Sequence, residues 1–403
     1  MSHLPTALAR LDLPEMQRHI GSSVREAERE LEQAPGPHDL VDATYADTHR
    51  FPPPEWTTET LLRASTGGGM TYTPYRGDAG VRGAVAQNLR EVLGLPAVDG
   101  VEPILTPGTQ GALFVALASV LEPGDVVLLP DPDYLSTERM LRWFGAEVVR
   151  IPMRFPEADG RPVLDAEALA AAAARGPRLL VFSHPNNPTG MVYADTTLTQ
   201  IAELAVQHDF TVLADQLYCR LVYDGEAFTH LANLPGMSER TITLLGPSKT
   251  ESMSGFRLGV ALAPDALVDR MEDVQSCTAL RAPAYAQHLL TRWLADDQDY
   301  LRLRVKEYQA LRDTTVATLN GSGLMRVRPS YGTSYVFPEV LTDVGDRELS
   351  LRLKADAGVV VNPGYQFGEA GLGHLRLCFA QDEQVWEAAL GRILDVVGRY
   401  PLR

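Results

Sequence analysis

Lys249 and Arg257 stand eight residues apart in a small, polar stretch, Gly246-Pro-Ser-Lys-Thr-Glu-Ser-Met-Ser-Gly-Phe-Arg-Leu-Gly259, between the apolar runs 241–245 and 260–268. A lysine that can shed its proton is a nucleophile and a base, and an arginine offers a rigid fork of donors to a phosphate or carboxylate. Either one alone in a loop is ordinarily a solvated charge. Here they have company. Asp215 closes the apolar run FTVLAD (210–215) and is trailed by Tyr218, while Asn187 lies in HPNNPTG (184–190), after RLLVFSH (178–184). Singly, a carboxylate ending an apolar run is a helix cap and an Asn-Pro-Thr-Gly segment is a turn. All five residues fall just past the ends of successive apolar runs, and that shared placement points to a common site.

The elements that must position them alternate. Helical stretches read at 79–93 (AGVRGAVAQNLREVL) and 109–121 (TQGALFVALASVL). Short runs follow at 126–130, 147–152, 178–184, 210–215, 241–245 and 258–264. Several are β-branched, apolar on both faces and roughly 30 residues apart, the spacing of buried parallel strands joined by helical crossovers. In an open α/β sheet ligands gather at the carboxyl ends of strands, where PDPDY, HPNNPTG, DQLY and GPSK lie.

The texture changes from about residue 295, as a long charged helix (DYLRLRVKEYQALRDTTVATLN) leads to strand-like YGTSYVFPEV, AGVVVNPG and HLRLCFA and a closing helix. Residues 1–50 read as a helix (LPEMQRHIGSSVREAERELEQ) and irregular segments, stopped hard by FPPPEW (51–56). The expectation is a large α/β domain over 51–294 and a smaller α+β domain from 1–50 and 295–403.

Composition narrows the function. The chain has 403 residues, 45% of them apolar, and a net charge of −16 from 36 basic and 52 acidic side chains. That balance argues against a nucleic-acid groove or an anionic membrane surface. Three scattered cysteines without a CxxC pair argue against a disulfide framework or a metal site and for a reducing compartment, the cytoplasm. The N-terminus lacks the apolar core of a secretory signal, and no run of 18 apolar residues spans a membrane.

Seven motifs in order carry a resemblance: Tyr72-Thr-Pro-Tyr-Arg-Gly77, Thr106-Pro-Gly-Thr-Gln-Gly-Ala-Leu-Phe114, Asp131-Pro-Asp-Tyr134, Asn186-Asn-Pro-Thr-Gly190, Asp215-Gln-Leu-Tyr218, Ser248-Lys249 through Gly255-Phe-Arg257-Leu-Gly259, and Arg376-Leu-Cys-Phe-Ala380. The chain resembles the class I/II aminotransferase superfamily of pyridoxal-phosphate enzymes, fold type I and aspartate-aminotransferase-like. The resemblance implies a mostly parallel sheet of the seven-stranded type between helices, with a smaller α+β domain beside it.

It also implies roles. Lys249 would form the internal Schiff base with the cofactor and act as acid and base at the substrate Cα. Asp215 would pair with the pyridine nitrogen, Asn187 and Tyr218 would bond the phenolic oxygen, and Tyr134 would lie on the ring face. Gly108, Thr109 and Gln110, at a helix start, would hold the phosphate together with Ser248 and Arg257. Tyr72 is similar to the family tyrosine that reaches the phosphate across a subunit boundary, which implies a homodimer with shared sites. Arg376, set in an apolar strand, matches the arginine that grips the α-carboxylate of an amino-acid substrate.

Departures from the family pattern bear on substrate. Residues 41–56 lack the usual glycine, and Thr44, Tyr45, Asp47, His49 and Arg50 crowd the place where a substrate side chain commonly lies. Tyr45, with Arg376 and Asn187, is the candidate substrate contact. Gly246 stands where some relatives carry a phosphate-binding hydroxyl. The leading expectation is an aminotransferase acting on an α-amino acid and a 2-oxo acid. The alternative is an enzyme of secondary metabolism that keeps the same site but diverts the quinonoid to elimination, replacement, cyclisation or carbon–carbon bond formation. A non-catalytic sensor fused to a DNA-binding module does not fit, because the first 50 residues are too short and not basic.

Overall fold

The computed structural model describes residues 6–403 apart from 12, 14, 68, 97–99 and 156–159. Its centre is an eight-stranded sheet in the order Val101–Pro107, Leu258–Pro264, Thr241–Leu245, Thr211–Asp215, Leu179–Ser183, Val126–Asp131, Glu147–Arg154 and Val163–Leu164. The five strands from Thr241–Leu245 to Glu147–Arg154 pair in parallel. Three of them, Val126–Asp131, Leu179–Ser183 and Thr241–Leu245, are buried along nearly their whole length, which their unbroken apolar runs require. Apolar clusters on both faces join the sheet to helices such as Thr109–Val120 and Asp195–His208.

Two features of the sheet depart from the sequence reading. The edge strand Val101–Pro107 is not among the runs singled out above. Pro103 and Pro107 interrupt its pattern, and prolines are tolerated here because the strand pairs on one side only, with Leu258–Pro264. Leu258–Pro264 itself, read as one of the parallel strands, runs antiparallel to both neighbours. The connection from Leu245 to Leu258 holds one short 3₁₀ turn and no crossover helix, so the chain doubles straight back. That return brings Lys249 and Arg257 to the same end of the sheet.

The N-terminal helix expected over 13–33 (of which Pro14 lies outside the described residues) is broken. Gly21 takes a left-handed φ of 71° after Gln17–Ile20, and Ser23 caps a new helix, Val24–Gln33, in a reciprocal capping box with Glu26. After residue 295 the long helix Gln298–Gly321 and the closing helix Glu383–Val397 flank strands of two to four residues. Leu375–Cys378 lies between Tyr335–Val336 and Asn362–Pro363, which sets Asn362 opposite Arg376. Val41–Asp42 joins Val359–Val360 in parallel, and Val41 and Phe51 share a buried cluster with Tyr308, Leu377, Phe379 and Trp386. Among the described residues no helix is long and apolar enough to cross a membrane.

Candidate active site

Strand ends build one wall of a cavity of about 240 Å³. Asp215, the last residue of its strand, accepts a hydrogen bond from Leu217 N–H at 3.2 Å. Burial pushes its carboxyl up to about 6, against the pull of the Lys249 ammonium. Lys249 lines the same cavity and makes no hydrogen bond or ion pair among the described residues. Asn187 is positioned from beneath: its N–H donates to Ser183 Oγ at 2.9 Å, and the Ser183 hydroxyl donates to buried Asp133 at 3.1 Å. Tyr218 donates its O–H to the Tyr335 hydroxyl at 3.0 Å. Burial alone would raise the Tyr335 phenol, yet Lys249 and Arg376 outweigh it and hold that phenol below the usual tyrosine value.

At one pole stands the N-terminus of the Thr109–Val120 helix, with no acidic residue in its first turn. Its free amides and dipole favour an anion. Gly108 caps it with φ 81°, and a Cβ there would lie 2.3 Å from Arg257 Nη2, so a side chain would push the guanidinium aside. Arg257 donates from Nη1 to Ser254 O at 2.9 Å. Ser248 lines this pole, and the buried Thr109 Oγ1 has no partner. Tyr134 borders the cavity and donates to Gln110 Oε1 at 3.0 Å.

Arg376 forms the other pole and is 5% exposed. It donates from Nη1 to Asn187 Oδ1 at 2.9 Å and from Nη2 to Thr44 O at 3.0 Å and to Asn362 Oδ1, with the Tyr335 ring centroid 4.0 Å from the guanidinium carbon. Nε finds no partner, and among the described residues no carboxylate pairs with this cation. A buried guanidinium without a counter-ion is costly, and an anionic ligand relieves that cost.

The sequence profile of the family "Aminotransferase class I and II" matches residues 42–393. The chain belongs to this family of aminotransferases. It is 33% identical over 350 residues to aromatic-amino-acid aminotransferase 2 of Thermococcus litoralis, covering 86% of this chain and 89% of the relative. It is 34% identical over 364 residues to the aspartate/prephenate aminotransferase of Thermus thermophilus, covering 90% and 92%. An aspartate aminotransferase structure from Rhodobacter sphaeroides superposes with a TM-score of 0.86 at 38% identity, over 91% of this chain and 94% of that one. The family is one of pyridoxal-phosphate-dependent transferases, and the chain is an aminotransferase. No observation favours the elimination, replacement or carbon–carbon bond-forming alternative.

Within this aminotransferase, Lys249, Asp215, Tyr218, Asn187, Tyr134, Thr109, Gln110, Ser248, Arg257 and Arg376 all line the cavity. Gly108 touches it through Arg257. Two candidates stand apart from it. Tyr72 is 84% exposed, with the Arg281 guanidinium 4.4 Å from its ring, and Tyr45 is 54% exposed while its neighbour Thr44 lines the cavity. Sequence reasoning passed over Tyr335 and Asn362. Both lie in segments read only as strands, and what brings them to Arg376 is pairing between very short strands, across 14 residues for Asn362 and about 40 for Tyr335, which no local pattern reports. Among the described residues no group of three or more His, Cys, Asp or Glu is placed to hold a metal.

Proposed function

We propose that this aminotransferase holds pyridoxal phosphate on Lys249 and transfers an amino group between an α-amino acid gripped by Arg376 and a 2-oxo acid. The observation that carries the reading is the convergence on one cavity of an uncommitted lysine, a buried carboxylate and two separated arginines. The residues fit the cofactor. The Gly108 cradle, the orphaned Thr109 hydroxyl and the Arg257 fork suit a phosphate, and Asp215 suits a protonated ring nitrogen.

When bound, pyridoxal phosphate supplies an aldehyde that condenses with amines and a ring that accepts the electron pair left by a departing Cα proton. The chain supplies the rest. Asp215, its charge favoured by a cation facing it, keeps the ring nitrogen protonated. Lys249, freed as an amine, would take the proton from the substrate Cα and hold it on Nζ for return on the far side of the amino nitrogen. Arg376 would fix the substrate carboxylate in the cavity that Lys249 also lines. Asn187, whose Oδ1 is committed to Arg376, has its amide N–H₂ left for the cofactor's phenolic oxygen. Tyr218 would support the same oxygen by turning its O–H away from Tyr335. Tyr134 covers the ring face.

The aminotransferase works, on this reading, as a homodimer with shared sites. Tyr72 and Tyr75, both exposed, stack on the Arg281 guanidinium, a surface suited to burial against a second copy, from which Tyr72 would reach the partner's phosphate pole. Tyr45 would stand at the substrate's side chain. The large domain would run over 51–294 and the small one over 1–50 and 295–403, supported by the cluster that joins Val41 and Ala43 to the C-terminal third. Three free cysteines support a cytoplasmic location.

Borohydride treatment of cofactor-loaded protein, followed by peptide mapping, should place the label on Lys249. A panel of amino acids and 2-oxo acids should then yield one 2-oxo acid per amino acid consumed. A label elsewhere, or loss of a side-chain group instead of amino transfer, overturns the reading.

A further inference from the structure

The Arg376 guanidinium is held from behind by a chain of hydrogen bonds that ends on the N-terminal helix. Arg376 Nη2 donates to Asn362 Oδ1. Asn362 Nδ2 donates to Gln366 Oε1 at 2.8 Å, and Gln366 Nε2 donates to Glu28 Oε1 at 3.3 Å. Glu28, on the Val24–Gln33 helix, is anchored in turn by Arg139 of the Leu135–Phe144 helix, 2.6 Å from its second oxygen. We propose that Asn362 and Gln366, oriented by Glu28, are positioning residues that fix the Arg376 guanidinium for the substrate carboxylate. The proposal rests on the assignment of Arg376 to that carboxylate.

Direction is what makes the chain work. A primary amide has a donor end and an acceptor end, so two amides in series can face either way. An arginine can only donate, and an ionised glutamate can only accept. With these obligate groups at its two ends, the series takes one sense: Glu28 draws the Gln366 N–H₂, Gln366 presents its oxygen to the Asn362 N–H₂, and the Asn362 oxygen faces Arg376. Nη2 then has both its protons committed, to Asn362 and to Thr44 O. The guanidinium plane is thereby set, and Nε–H and the second Nη1–H, on different edges of that plane, are the donors left without a protein acceptor.

The sense of the series can be tested by reversing it. Asn362→Leu should raise KM for the amino donor and for the 2-oxo acid about tenfold, 1.4 kcal/mol, with kcat within twofold and the melting temperature and cofactor retention unchanged. Gln366→Leu, which leaves the Arg376 contact in place, should give a smaller rise and serves if the first variant folds poorly. Glu28→Gln can still offer an oxygen and should keep KM within twofold. Glu28→Lys can only donate, which turns both amides and sets the Asn362 N–H₂ against the guanidinium, so KM should rise at least as far as in Asn362→Leu. Arg139→Leu, which frees Glu28 but leaves it an acceptor for Gln366, should raise KM less than Gln366→Leu. Unchanged KM in both leucine variants at positions 362 and 366, or equal KM in Glu28→Gln and Glu28→Lys, overturns the proposal. Arg376→Ala separates the two levels: if it too leaves KM unchanged, the carboxylate assignment falls; if it alone raises KM, only the relay falls.

Discussion

The two arginines that bound the cavity are built on opposite plans. Arg257 is exposed, makes one hydrogen bond to a nearby carbonyl and stands in a left-handed backbone conformation (φ 53°) eight residues after Lys249. Arg376 is buried, shares three acceptors from three separate segments and lies over an aromatic ring. The first belongs to a loop that leaves and re-enters one sheet, so its position follows from local chain geometry and from the helix N-terminus beside it. The second is set by contacts between the 44, 187 and 362 regions, none of them its sequence neighbour. A cation that binds a retained ligand can stand near water and let the ligand complete it. One that must meet a new carboxylate at each turnover is better held in place beforehand.

The largest effect should come from the lysine the two arginines flank. Lys249→Ala should lower kcat by about 10⁴-fold with cofactor still bound, read by single-turnover kinetics; turnover within tenfold of the parent would give the proton work to another group. Arg376→Ala should raise KM for amino acids about 10²-fold, as loss of two charge-assisted bonds of about 1.5 kcal/mol each implies. An equal change in cofactor affinity would erase the contrast between the poles. Arg257→Ala should weaken cofactor retention about tenfold or less, because exposure screens its charge, and leave KM for amino acids nearly untouched. Equilibrium dialysis of the cofactor measures it, and a hundredfold loss would show that this pole is as dependent on its arginine as the other.

The smallest effect concerns the ions behind the lysine. Buried Glu251 is 2.6 Å from Arg220, which is also 2.6 Å from Asp297, so one guanidinium serves two carboxylates. Burial raises Glu251 to about 7, with Arg220 opposing and Asp297 reinforcing the shift. The folded chain thus keeps a proton that the unfolded chain releases near the ordinary value of 4.5. The stability this contributes is full below that value and is lost as pH rises towards 7. The melting temperature of the parent should fall by about 2 °C across that window, and Glu251→Gln should flatten the slope. An identical slope in the variant would place the titration elsewhere.

The contrast between the poles also explains what could be read from sequence. The runs at 126–130, 210–215 and 241–245 match strands to within a residue or so, because a buried strand must be apolar on both faces. Asp215, Lys249 and, after the run 178–184, Asn187 could be placed at one end of the sheet for the same reason. The Val101–Pro107 strand was not, since its prolines suit only an edge, and an edge is a property of the whole sheet. Tyr335 and Asn362 were hidden because strands of two residues carry no periodicity. Gly246 became intelligible only in three dimensions: a Cβ there would sit 3.1 Å from both Leu258 O and Thr109 Oγ1, so a side chain would crowd the start of the helix.

The doubling back of the chain between Leu245 and Leu258 has a last consequence. With both ends of this segment clamped by strand pairing, it acts as a gauge block: loop length sets how far apart the backbones of Lys249 and Arg257 stand. A ligand that is to be held at both ends must match that gauge, and a dephosphorylated vitamer would close on the lysine yet leave the far jaw empty. On the proposed cofactor assignment, this loop would select by length as much as by charge.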